Sequence, residues 1–192
     1  MKKILIASLV GGIILFVWHS VSWMLMPTHL DSFQYSPAQD SILNTLKNSG
    51  IKTGAYFMPS IDHSNVKAFD SEYQKKCAEL MKTSVGKPAA SIFYVDAMPD
   101  MSAAAVLYGF LYDFIAVLCA CLLLSLAFQS DASFLMRWWM VMLFAVFYIM
   151  EAPMSGHNWL MEPWHYTKGF IYDAFIGWGL TGLWIASYLK RK

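Results

Sequence analysis

The sequence predicts an all-α membrane protein: a bundle of four transmembrane helices with a small α+β extracytoplasmic cap between the first and second. Three observations lead there. The chain has 192 residues, 57% of them hydrophobic and only 14% charged, where soluble domains carry about 25% charge. Long apolar runs fill both ends of the chain. The charge is concentrated in one polar segment between them.

The first run, Ile4 to Met26, spans 23 residues without a formal charge after Lys2-Lys3. That length crosses a hydrocarbon core of ~30 Å at about 1.5 Å per residue. The run continues through Trp23 and Met26, past Ser20-Val21-Ser22, a poor small-x-small match. An uncleaved span is therefore expected rather than a signal peptide. Ser8, Gly11 and Gly12 invite close approach of another helix.

Pro27 closes this span, and residues 27–100 form the cap. Ser36-Pro37-Ala38-Gln39 reads as a capping box that starts a helix to about Asn48, with Gly50 as its stop. Thr53 to Met58 and Ala89 to Val95 read as strands, and Asp70 to Lys82 as an amphipathic helix. A unit this small buries little core of its own. Residues 101–192 hold three further spans, at about 101–128, 134–154 and 170–189. Gln129-Ser130-Asp131 is a tight turn, and residues 155–168 read as a short loop.

Lys2, Lys3, Arg137, Lys190, Arg191 and Lys192 fall on one side of a four-span model. The positive-inside rule makes that side the cytoplasm, with both termini there and the cap outside. A bacterial inner membrane suits this arrangement. The lipid bilayer is the first partner, and the cap is available to a membrane-protein partner or to a homo-oligomer. A net charge of +1 with no basic, aromatic-interleaved cluster gives no case for nucleic acid. Cys77, Cys119 and Cys121 contain no CxxC, which argues against a disulfide scaffold or a thiol–disulfide enzyme.

The candidate chemistry lies in the spans. Gly109-Phe110-Leu111-Tyr112-Asp113 returns as Gly169-Phe170-Ile171-Tyr172-Asp173. Counted from the cytoplasmic end of each span, His19 lies 15 residues in, Asp113 15, Glu151 14 and Asp173 16. At 1.5 Å per residue all four reach roughly 21–24 Å, in the outer third of the bilayer. Intramembrane ionisable groups are costly and usually functional. A histidine with three carboxylates suits a divalent transition metal such as Zn²⁺, Mn²⁺ or Fe²⁺, or a proton relay. The competing reading is a hydrated rim under the headgroups. His29, His157 and His165 are further candidate ligands at the outer mouth, among several methionines. Trp18, Trp23, Trp159 and Trp164 outside, and Trp138 and Trp139 inside, fit interfacial belts. The Gly177-Trp178-Gly179 stretch follows no strand, so it is not a nucleotide fingerprint.

One span, a large outer loop and three more spans resemble the claudin and peripheral-myelin layout. The paired loop cysteines and the Trp-Leu-Trp element of that family are absent, so its barrier function does not carry over. Gly11-Gly12, Phe16-Val17-Trp18, Pro27 with His29, and Gly54-Ala55-Tyr56-Phe57-Met58-Pro59 resemble bacterial four-span inner-membrane proteins. That resemblance implies a small bacterial membrane protein and no particular activity. With no catalytic constellation in the cap, the leading expectation is a non-enzymatic accessory, assembly or interaction subunit. A metal-dependent membrane enzyme or proton/ion-handling protein, built on the His/carboxylate layer, is the alternative. Binding of lipid or another apolar ligand is the third.

Overall fold

The computed structural model describes residues 1–62, 64, 70–100, 103–127 and 132–190. It is mostly helical and divides into two compact units, residues 1–35 with 99–192, and residues 36–98.

In the first unit, α1 (Lys2–Met24) is followed by a 3₁₀ turn at Pro27–His29. Helices α4 (Ala103–Ala127), α5 (Phe134–Glu151), α6 (Pro153–Trp159) and α7 (Trp164–Tyr188) complete it. Among the described residues, three helices are long and apolar enough to cross a membrane: α1, α4, and α5 continued through α6 as Phe134–Trp159. Helix α7 matches α4 in length at 25 residues, but its first turns carry His165, Lys168 and Asp173. The expected loop at 155–168 is largely helical, because Pro153 begins a new helix and Pro163 precedes α7. Proline suits the first turn, where its missing N–H costs nothing. The predicted turn at 129–131 lies outside the described residues.

Large apolar side chains cover much of the outside of this unit. Leu5, Leu9, Ile13 and Val17 form an exposed stripe along α1, while Ser8, Gly11, Gly12 and Ser22 face inward. On α7, Phe175, Ile176, Leu180 and Leu183 are exposed, while Gly177, Thr181 and Gly182 are buried. Small residues inside and large apolar ones outside are what lipid, rather than water, selects. Helix α1 packs on α4 and α7, and α7 also packs on α5. Glycines set the spacing. A Cβ at Gly12 would fall 2.9 Å from the Phe114 Cα, and one at Gly177 would fall 2.7 Å from the Leu15 Cδ1.

Side chains tie these helices together through backbone oxygens. Trp184 Nε1 donates to the Ala7 carbonyl at 3.0 Å, and Trp138 Nε1 to the Gly179 carbonyl at 3.1 Å. Arg137 is buried, not a free interfacial charge. Its Nε donates to the Ala186 carbonyl at 2.8 Å and its Nη1 to the Ala132 carbonyl. Trp18 and Trp138 also turn into the bundle, unlike the exposed Trp23, Trp139, Trp159 and Trp164.

In the second unit, α2 (Gln39–Asn48) and α3 (Ser71–Ser84) accompany an antiparallel pair, β1 (Gly54–Met58) and β2 (Ala90–Tyr94). The register sets Tyr56 opposite Ile92. The expected capping box does not form. Ser36 and Gln39 close a turn through backbone groups, and α2 starts only after it, with no side-chain cap. Asp70 does cap α3, accepting from the Glu72 N–H at 2.8 Å. Gly50 and Gly86 hold positive φ at the stops after α2 and α3, where a Cβ is disfavoured. Neither helix buries a residue.

Candidate functional site: two histidine–aspartate pairs on one cavity

Asp113 and Asp173 each meet a histidine, and each pairing begins with the helix that carries the acid. In α7, Gly169 precedes Asp173 by one turn, so both lie on one face. A Cβ at Gly169 would fall 2.8 Å from His29 Cε1 and 2.9 Å from His29 Nδ1. Only a glycine leaves room for that imidazole. Pro27 opens the 3₁₀ turn that carries His29 back from the end of α1. His29 Nε2 then lies 2.9 Å from Asp173 Oδ2, with the two side chains only 3% and 8% exposed.

His29 Nε2–H donates to Asp173, and Nδ1 faces the Ser32 hydroxyl at 3.4 Å. The Ser22 hydroxyl donates to the other carboxylate oxygen of Asp173 and lies 3.4 Å from Thr28 Oγ1. Trp23 stacks on His29, with ring centroids 3.9 Å apart and planes 13° from parallel. Asp173 therefore has both oxygens engaged and little water. A buried carboxylate needs such partners.

The second pair is looser. His19, on α1, places Nδ1 3.2 Å from Asp113 Oδ2 on α4. These side chains are 38% and 14% exposed. Asp113 Oδ1 takes part in no hydrogen bond among the described residues. Gly109, one turn before Asp113, meets only Phe16, at 3.5 Å from an added Cβ.

Both acids face one cavity of about 430 Å³. His19, Asp113 and Asp173 supply its ionisable lining. Trp23, Tyr112, Tyr148, Phe170 and Trp178 supply aromatic walls. Leu15, Ala116 and Ala174 add to it, and among the described residues no lysine or arginine takes part. Its volume falls within the about 300–1,000 Å³ usual for small-molecule sites.

Three of the four expected layer residues thus share a cavity, and His29 joins through Asp173. Glu151 is exposed at the end of α5, three residues beyond Tyr148, and does not line the cavity. His157 is half-buried, with Nδ1–H donating to the Glu162 carbonyl at 2.6 Å. His165 is half-buried in the first turn of α7 and is likewise outside the lining. Among the described residues, no group of three or more His, Cys, Asp or Glu is arranged to hold a metal ion. Ser22 and Tyr148 carry no sequence signal of their own. The spacing of Pro27 to His29 and of Gly169 to Asp173 is the signal that could have joined His29 to the site.

A separate groove of about 480 Å³ lies between α4 and α5, lined among the described residues by apolar side chains such as Leu124, Met140 and Phe144. Compared with protein-family models, curated proteins and solved structures, the chain matches none.

Proposed function

We propose that this chain is an integral membrane protein of four spans that handles ions, exchanging a bound cation for a proton at the His19–Asp113 and His29–Asp173 layer. The observation that carries this reading is the convergence of two His–Asp pairs, from distant parts of the chain, on one cavity. Helix α7 is the fourth span, and its exposed apolar face supports that reading. Both termini are cytoplasmic, the unit of residues 36–98 lies outside, and a bacterial inner membrane is the expected setting.

The chemistry follows from the difference between the pairs. Asp173 is held on both oxygens by Ser22 and His29. Asp113 has one oxygen without a hydrogen bond among the described residues, where a ligand can bind. A cation that pairs with Asp113 repels an imidazolium at His19, which then releases its proton to bulk water. Asp173, Tyr112 and Tyr148 line the same cavity and set the field around His19.

The test is proton release from purified protein in weakly buffered detergent. Na⁺, K⁺, Mn²⁺, Zn²⁺ and benzyltrimethylammonium are added in turn. Release with at least one cation, lost in His19→Gln and Asp113→Asn, is the expected result. Silence with every cation would sink the reading. Release with Mn²⁺ or Zn²⁺ alone would favour the divalent-metal version, with Glu151 or a mouth histidine recruited.

A second reading, an accessory subunit that binds a partner through residues 36–98, draws support from Ile42, Leu43, Met81 and Phe93. All four are exposed, and Phe93 is 79% exposed. Co-purification from native membrane under mild detergent checks it, and a partner-free monomer would count against it. The apolar groove between α4 and α5 suits an acyl chain of the surrounding lipid.

A further inference from the structure

We infer that the cation taken by this cavity is organic, a quaternary or protonated amine, seated against aromatic rings with Asp113 as its counter-ion. The inference rests on the ion-handling reading and names its ligand class.

Three observations carry it. The first is charge: two aspartates line the cavity, and among the described residues the only basic side chain lining it is His19, an imidazole rather than a permanent cation. The second is the wall. Trp23, Tyr112, Tyr148, Phe170 and Trp178 all contribute to the lining. The negative face of an aromatic ring attracts a cation within about 6 Å of its centroid, and desolvated sites strengthen that attraction. Aromatic walls serve a small hydrated metal ion poorly, because such an ion binds through several oxygen or nitrogen donors at about 2.0–2.6 Å. The third is the arrangement of donors. Asp173 is already committed to Ser22 and His29, which leaves Asp113 Oδ1, without a hydrogen bond among the described residues, as the carboxylate oxygen open to a ligand. One free carboxylate oxygen among rings fits a single diffuse positive charge better than it fits a metal needing three or more ligands.

The position of the pairs adds a consequence. His29 is stacked between the Trp23 ring and the glycine face of α7, so its ring is not available to a ligand. The Trp23 ring also borders the cavity. The His29–Asp173 pair therefore positions Trp23, while the His19–Asp113 pair receives the ligand. Asp113 is the binding residue and His29 a positioning residue.

Choline and its neutral isostere 3,3-dimethyl-1-butanol separate charge from shape. Binding of each to the full-length protein in lipid nanodiscs is followed by tryptophan fluorescence and calorimetry, with benzyltrimethylammonium as a larger cation. The expected result is saturable binding of both cations and at least about tenfold weaker binding of the butanol. Asp113→Asn removes the preference for charge. Tyr148→Leu weakens the cations about 3- to 30-fold, while Tyr148→Phe, which keeps the ring, does not. Equal binding of choline and its isostere, or Tyr148→Leu without effect, overturns the inference. Proton release with Mn²⁺ or Zn²⁺ but no binding of either organic cation also overturns it and leaves the ion-handling reading standing. If Asp113→Asn fails to fold, the Tyr148 pair and the isostere comparison still decide.

Discussion

His29 Nε2 lies 2.9 Å from Asp173 Oδ2, and the same imidazole rests on Gly169, one helical turn before that aspartate. The acid and the space for its partner are thus written into one face of α7. Asp113 and His19 make the corresponding pair across α1 and α4, at 3.2 Å and with more exposure.

That difference in burial predicts different costs. Asp173→Ala strands a buried imidazole and the Ser22 hydroxyl, and is expected to destabilise by about 3 kcal/mol or more. Asp113→Ala loses a less buried pair with a single hydrogen bond, and is expected to cost less, about 1–2 kcal/mol. Thermal unfolding of the two variants in one detergent orders them. An equal loss would show that burial does not separate the pairs.

The two echoed glycines should also part. Gly169→Ala drives a methyl against His29 and is expected to cost about 1–3 kcal/mol. At Gly109 the added methyl meets Phe16 at ordinary contact distance. There the helix gains up to about 1 kcal/mol of propensity, so Gly109→Ala is neutral or stabilising. The same melting series reads both.

Gly12 and Gly11 lie side by side on α1, but what they face differs. A methyl at Gly12 meets the Phe114 backbone, whereas one at Gly11 meets the movable Val117 Cγ1 at 2.7 Å. Gly12→Ala should therefore force α1 from α4 and cost more, since a side chain yields more readily than a backbone. Urea or SDS titration of the two variants, compared at equal protein concentration, tests the order.

Arg137 bridges carbonyls at Ala132 and Ala186. Arg137→Met leaves a buried acceptor unpaired and is expected to cost about 1–3 kcal/mol. Arg137→Lys recovers only part, because one ammonium does not reproduce the two-armed geometry of a guanidinium. A full rescue by lysine, seen as an unchanged melting temperature, would show that charge alone matters there.

The proposed four-span topology puts Lys190 on the same side as Lys2 and opposite Ser71. In a cysteine-free background, Ser71→Cys should react with a membrane-impermeant maleimide on intact cells. Lys2→Cys and Lys190→Cys should react only after permeabilisation. Labelling of Lys190→Cys on intact cells would mean that α7 does not cross.

How much of this was legible in the sequence varies with the physics of each part. The apolar spans are plain, because runs of about twenty residues or more with at most one or two charges leave few alternatives. The strands and the helix capped by Asp70 are likewise local signals. Ser36 misleads because a turn through its backbone competes with a cap. Counting along the spans brings His19, Asp113 and Asp173 to one level. It also brings Glu151 there, because depth carries no information about which face of a helix a residue occupies. Glu151 ends α5 on its exposed side. His29 hides for the opposite reason, since its place depends on a chain reversal at Pro27 and on room left by Gly169, two distant features that only the fold brings together.

The central claim is that the two pairs form one site rather than two hydrated rims. A double-mutant cycle on Asp113→Asn and Asp173→Asn, read as unfolding free energy at neutral pH, tests it most directly. Carboxylates that share one cavity should show a coupling of more than about 0.5 kcal/mol. Additivity within about 0.3 kcal/mol would contradict the account and leave the two pairs as independent caps on their own helices.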